Sequence, residues 1–239
     1  MMICRNIPLL IAALAILAFG QFGTAAASEI GSVSIVNIGA YGTLPGESTE
    51  RLYVRDDVFV DERIQTVKKA NAQIRFIDDT DLYLGPSSEV LLDSFIFDPN
   101  QNTGEFVAEL GLGVFRFVTG EMPADSVSVL TPVATIGVRG TDFLVEVTEG
   151  GDEATILCIR IEVYDGAVTA TPREGGGDGV DLETGQIGAG CDPGATVDVT
   201  TAVGGLTPPP TVTGHADVDV AALDDLLVHH GRVHAREGP

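Results

Sequence analysis

From Ser32 to about Thr200 the hydrophobic positions come in short runs, alternating or wholly apolar, broken by Gly, Pro, Asp and Asn. "SVSIVNI", "RLYVRDDVFV", "AQIRFI", "DLYLG", "EVLLDSFIF", "GEFVAEL", "GVFRFVTG" and "DSVSVL" follow one another at the close spacing of an all-β domain. In "AQIRFI" the apolar Ala72, Ile74 and Phe76 share one face and Arg75 takes the other, a period of two that predicts a half-buried strand. No amphipathic helical pattern interrupts these runs. The expected fold is therefore all-β, a solenoid-like or sandwiched arrangement of many short strands.

The pattern slips once, within "TPVATIGVRGTDF", residues 131–143. Ala134, Ile136 and Val138 are apolar on even positions, whereas Phe143, Val145 and Val147 are apolar on odd ones. A one-residue slip turns every following side chain to the other face, so a flat strand would expose one apolar set. A β-bulge or sharp corner across Arg139, Gly140, Thr141 and Asp142 repairs this, and Gly140 supplies the backbone freedom. Arg139 and Asp142 flank the corner. They either pair with each other or leave Arg139 to donate to carbonyls freed by the break; an exposed anion hook is the functional alternative.

The ends differ from the middle. Arg5, the run "IPLLIAALAILAFG" and small residues at Ala25 and Ala27 predict a signal peptide over 1–27, cut after Ala27. The rival reading is a retained membrane anchor, but the apolar run is shorter than the roughly 20 residues that span a bilayer, and no later segment is long and apolar enough, so no membrane span is expected after cleavage. Residues 28–51 form a lead-in with the first strand, 52–199 the main β domain, and 200–216 a Gly/Thr/Pro-rich linker. Residues 217–239 are a tail with a short amphipathic helix, in which Val220, Leu223 and Leu227 fall at helical spacing. The expected location is periplasmic or secreted.

Charge and cysteines narrow the functional classes. A formal net charge of −22 repels nucleic acid, and the acidity also keeps a secreted β protein soluble. In an oxidising compartment, Cys158 and Cys191 read as a disulfide; the alternative is a buried thiol at Cys158 with an incidental Cys191. The four histidines, His215, His229, His230 and His234, all lie in the tail, away from any Cys or paired acid at metal-ligand spacing. No cofactor, designed metal site or catalytic residue is expected. Asp56 and Asp57, or Asp78, Asp79 and Asp81, would serve a carbohydrate-active hydrolase only if two carboxylates converged. Turn chemistry accounts for them more simply. A calcium-stabilised adhesion module is a further alternative, resting on "GGGDGVDLE" and "TEGGDEA", which lack EF-hand spacing.

The motif "TPVATIGVRGTDF" resembles the signature of the FecR-domain family, exported or periplasmic β modules that occur alone and in regulators signalling to iron-uptake sigma factors. "FIDDTDLYLGPSSEVLLDSFIFDP", "GVFRFVTG", "IEVYDGAV" and "VDLETGQ" resemble further family segments in the family's order, over roughly residues 52 to 188. The resemblance marks Thr131, Pro132, Gly137, Arg139, Gly140, Thr141, Asp142 and Phe143 as a structural motif, not a catalytic one. It implies a non-enzymatic module for protein–protein interaction, signalling or envelope structure, with another envelope or extracellular protein as partner. Sigma-regulator members carry a transmembrane helix before this domain and a docking domain after it. The pattern here, a cleavable leader and a short tail, is instead similar to stand-alone secreted members.

Overall fold

A computed structural model of the chain describes residues 28–150, 156–173, 177–191, 197–202 and 206. The leader, the His-containing tail and most of the linker lie outside the described residues. Among the described residues there is no helix, and the expected all-β class holds.

A mixed sheet of sixteen strands organises the chain. Its spine is the antiparallel pair β12 (Ala134–Glu149) and β13 (Leu157–Pro172), each 16 residues long. Beside the first half of β12 lies β11 (Val127–Leu130), and beside its second half β10 (Gly113–Val118). From there two arms diverge. The first continues from β11 through β9 (Thr103–Leu110), β8 (Glu89–Asp98), β5 (Arg63–Thr66), β2 (Ala40–Thr43) and β3 (Glu50–Leu52). The second continues from β10 through β7 (Asp81–Leu84), β6 (Asn71–Phe76), β1 (Glu29–Asn37) and β4 (Asp57–Phe59). Along the other side of β13 run β14 (Val180–Glu183) beside its second half and β15 (Gln186–Cys191) beside its first, with β16 (Asp198–Thr201) outside β15.

The sheet curls so that the two arms face each other across one apolar core. Phe76 of β6 stacks on Phe95 of β8, with ring centroids 5.4 Å apart, and meets Phe106 of β9 at 4.7 Å. Phe106 also approaches Phe117 of β10, which stacks on Phe143 of β12. These rings cross from one arm to the other, and each buries a large apolar area in offset or edge contact. The inward positions of "AQIRFI" behave as its alternation predicts: Ala72, Ile74 and Phe76 are buried and Arg75 is exposed.

One run departs from its pattern. "RLYVRDDVFV" reads as a single alternating strand, yet it divides into β3 and β4, with Arg55 between them at φ 80°. Val54, which shares the parity of the buried Leu52 and Val58, is 48% exposed, and its neighbour Tyr53 on the other face is 60% exposed. The chain instead turns from the edge of one arm to the edge of the other, held by Arg55 N donating to Val33 O and Asp56 N to Tyr53 O. Two adjacent acids and a left-handed residue serve that crossing better than a continuous strand.

Candidate functional site

The slip in "TPVATIGVRGTDF" is the corner where the spine passes from one arm to the other. Ala134, Ile136 and Val138 are buried before it, and Phe143, Val145 and Val147 after it. The partner strand slips in the opposite sense. Ile159, Ile161 and Val163 are buried on odd positions of β13, then Val168 and Ala170 on even ones. Pairing runs from Arg139↔Ala167 to Asp142↔Asp165 and then Phe143↔Val163, so one irregularity on each strand compensates the other.

Two glycines make this possible. Gly140 has φ 56° and Gly166 has φ 81°, the left-handed region that costs a β-carbon dearly. A Cβ on Gly140 would meet nothing within 4 Å, whereas one on Gly166 would collide with the Gly140 carbonyl. Thr141, buried between them, stitches the corner shut. Its Oγ1 donates to Ala167 O at 2.8 Å, its N donates to Thr119 Oγ1 at 2.6 Å, and its O accepts from Thr119 N at 3.1 Å. At the start of the motif Thr131 Oγ1 accepts from Ala134 N at 2.9 Å and donates to Ala134 O at 2.8 Å, a local turn that passes Pro132 and launches β12. Gly137 lies mid-strand opposite Ser128 and Thr169, and a Cβ there would make only an ordinary contact, with Thr169 O at 3.9 Å.

Arg139 and Asp142 do not pair with each other. Arg139 reaches Asp125 at 3.5 Å, both side chains well exposed, a contact worth little. Asp142 instead binds Arg116 of β10 by two parallel bonds, Nε–Oδ1 at 2.8 Å and Nη2–Oδ2 at 2.7 Å. Both partners are largely buried, 10% and 19% exposed at the side chain, so this pair is the strong one.

Arg116 is also the centre of a wider surface. Its guanidinium lies 5.6 Å from the ring centroid of Tyr83 on β7 and 5.8 Å from that of Tyr164 on β13. On the β13 side, the Tyr164 hydroxyl donates to Glu162 Oε2 at 2.9 Å while Arg160 Nε donates to Glu162 Oε1 at 2.7 Å. On the β7 side, Asp81 accepts from Arg75 Nε at 2.9 Å and Nη2 at 2.6 Å, and from Gln73 Nε2 at 2.8 Å. With Leu144 and Glu146 of β12, these residues form a ladder over five adjacent strands on the outward side of the second arm.

The electrostatics follow from half-burial. Burial disfavours the Arg116 cation, but its hydrogen bonds to Asp142 and the carboxylate charge more than reverse this, and the guanidinium is held charged. Burial, followed by the charge and hydrogen bond of Glu162, pushes the Tyr164 phenol far above its usual range. Burial also raises the Glu146 carboxyl; Arg160 opposes that rise and Glu162 adds to it. The face is thus a fixed, pre-bonded array of aromatic rings and paired charges with few free rotamers, suited to a broad partner surface.

The acids considered for hydrolysis are used locally. Asp78 accepts from Thr80 N at 3.1 Å and Thr80 Oγ1 at 2.6 Å, Asp79 sits at φ 63° in the same turn, and Asp81 belongs to the ladder. Asp56 accepts from Tyr53 N at 2.7 Å, and Asp57 pairs with Ser32 in β4. Asp181, from the glycine-rich segment, accepts from Thr169 Oγ1 at 2.7 Å. Residues 151–155, which hold most of the other acidic segment, lie outside the described residues. Among the described residues no group of three or more His, Cys, Asp or Glu could hold a metal ion, and no helix is long and apolar enough to cross a membrane. Cys158 and Cys191 form a disulfide, linking β13 to β15 at one end of the ladder.

Sequence reasoning located the corner and its glycine but not the Arg116 ladder. The signal for Arg116 was a lone cation inside the aromatic run "GVFRFV", on the outward parity.

Comparison with known proteins adds a family. Residues 62–169 match the family model described as FecR protein. Two crystal structures of a "putative anti-sigma factor" from Parabacteroides distasonis ATCC 8503 resemble the chain with TM-scores of 0.44 and 0.46, each at 15% identity. Each alignment covers 58% of this chain and 59% of the other, so less than two thirds of those structures is spanned. No curated protein matches.

Proposed function

We propose that this chain, which carries a FecR domain over residues 62–169, is an exported, non-catalytic module that holds another protein of the envelope against the outward face of its second arm. The observation that carries the reading is the ladder centred on Arg116, between Tyr83 and Tyr164 and bonded to Asp142. Tyrosine and arginine are the residues that most often anchor protein interfaces, because a rigid ring or a fixed guanidinium gives up little entropy on docking. Export is supported by the leader-like first 27 residues and by the Cys158–Cys191 bridge, which suits an oxidising compartment. The non-catalytic part is supported by the engagement of Asp56 and Asp78 within separate turns.

Site-specific photocrosslinking in the native host tests this. A benzophenone side chain at Leu144, in the middle of the face, is expected to trap a discrete partner, and one at Thr169, on β13 opposite the first half of β12, to trap none. Trapping from Thr169 alone, or equally from both, overturns the assigned face. Amino-terminal sequencing of the exported chain is expected to begin at Ser28; a retained leader overturns cleavage.

A further inference from the structure

The chain has only two lysines, and they are adjacent: Lys68 and Lys69, in the turn between β5 and β6. Both are exposed, and neither joins an ion pair among the described residues. Val67, just before them, is 40% exposed. Its N donates to Gly39 O at 3.2 Å, which ties this turn to the bend between β1 and β2, where Ile38 is 53% exposed. A Cβ on Gly39 would touch the Tyr41 ring at 3.6 Å and Val67 Cγ2 at 3.7 Å, so the two turns form one continuous apolar tip beside the lysine pair.

Ile38 is the informative residue. It has φ 68°, and Gly39 N donates back to Asn37 O at 2.9 Å across it, a three-residue turn of the rare and strained kind. Every other non-glycine residue at positive φ among the described residues is polar. A β-branched side chain fits that region worst, and Asn or Gly there would relieve the strain. The fold gains nothing in return, because the Ile38 side chain takes no part in the core. Arg51 holds the bend in place, donating to Ile38 O at 2.6 Å with its guanidinium over the Tyr53 ring. Strain kept at an exposed apolar residue points to a contact made outside the chain.

We propose that this tip docks on an anionic phospholipid bilayer, with Ile38 and Val67 entering the headgroup region and Lys68 and Lys69 meeting lipid phosphates. Charge complementarity selects the surface. The net charge of −22 disfavours anions at long range. At physiological ionic strength, however, charges more than about 8 Å away are largely screened, so the lysine pair governs its own contact. The neighbouring acid Glu89 on β8 is taken up by Arg63 and Gln65. A protein partner would need roughly 20–30 residues on each side, whereas two turn tips offer a handful of side chains, enough to enter a headgroup layer one by one. The tip shares no residue with the Arg116 ladder, and its failure leaves that face untouched.

The test is cosedimentation of the exported chain, beginning at Ser28, with vesicles at about 0.15 M salt, where distant acids are screened. The vesicles are phosphatidylcholine alone or an equimolar mixture with phosphatidylglycerol. Binding is expected to the mixed vesicles only. It should be at least about tenfold weaker in the double variant Lys68→Glu, Lys69→Glu, and roughly threefold weaker in Ile38→Asn. Asn accepts the left-handed bend, so Ile38→Asn is expected to melt no lower than the unaltered chain, and its weaker binding is then not a loss of fold. In the unaltered chain, a spin label at the headgroup of the mixed lipid in bicelles is expected to broaden the Ile38 and Val67 methyl resonances first, which needs no variant to fold. Equal binding to neutral vesicles, affinity unchanged in either variant, a lower melt in Ile38→Asn, Ile38 and Val67 methyls left sharp, or no binding at millimolar lipid overturns the proposal. So does binding of a soluble hexaglutamate peptide at this tip in place of vesicles, which would assign it to an acidic protein.

Discussion

The two halves of the β12–β13 hairpin meet the core in the same way and meet solvent differently. Inward, Ala134, Ile136 and Val138 in one half and Phe143, Val145 and Val147 in the other are all buried, with β13 supplying matching apolar rows. Outward, the first half presents Thr135, Gly137, Thr169 and Thr171, a plain and mostly neutral surface. The second presents Leu144, Glu146, Arg160, Glu162 and Tyr164, tied into Arg116. Core packing constrains the inward rows alike, because any polar or missing side chain there costs several kcal/mol. The outward rows are free of that demand, and it is there that the halves diverge. The corner lets one hairpin serve both arms while keeping its chemistry on one of them.

The largest expected effect concerns the staple on the chemically rich half. The Cys158–Cys191 bridge closes a loop with a sequence separation of 33. Chain-entropy reasoning gives a loop of that size about 3–4 kcal/mol of stabilisation. The double substitution Cys158→Ser, Cys191→Ser is expected to lower the urea midpoint accordingly, with no change in slope. An unchanged midpoint would show that the second half holds together without its bridge.

The corner comes next, and its two glycines separate strain from crowding. Gly166→Val imposes both, since φ is 81° and the Gly140 carbonyl occupies the new Cβ position; a loss of about 3 kcal/mol is expected. Gly140→Val imposes strain alone, φ being 56° with open space around it, and a loss of about 1–2 kcal/mol follows. Equal shifts in the thermal melt would mean that the backbone at Gly166 relaxes away from the contact, and the corner is softer than its geometry implies.

How much of this was legible in the sequence depends on range. The parity slip needs only the order of apolar residues, so the corner and the need for Gly140 could be read from "ATIGVRGTDFLVEV". The matching slip in "IRIEVYDGAVTA" carries the same local signal at Gly166. What could not be read is which charge meets which. Asp142 lies three residues from Arg139 yet binds Arg116, 26 positions away, because strand pairing aligns β10 with the second half of β12. The division of "RLYVRDDVFV" was hidden for a similar reason: its alternation is sound locally, and only the need to pass from one sheet edge to the other breaks it. Local pattern governs the elements, whereas pairing between distant strands decides the surface chemistry.

The smallest effect tests whether the outward face of the second half carries a cost that the first half avoids. Burial holds the Glu146 carboxyl above its ordinary value, with Arg160 opposing and Glu162 reinforcing the shift. Arg160 is committed to Glu162, so Glu146 gains only part of its attraction. A carboxyl whose folded value is raised binds its proton more tightly in the native state, so its charged form costs stability at neutral pH. That cost fades as pH falls through the raised value and is gone below the unfolded one. Glu146→Gln removes the charge at every pH. It should therefore raise the melting temperature slightly at pH 7 and leave it unchanged near pH 3, whereas the outward threonines of the first half carry no group that titrates there. A Glu146→Gln gain of equal size at both pH values would assign the effect to packing and remove the electrostatic difference between the two halves.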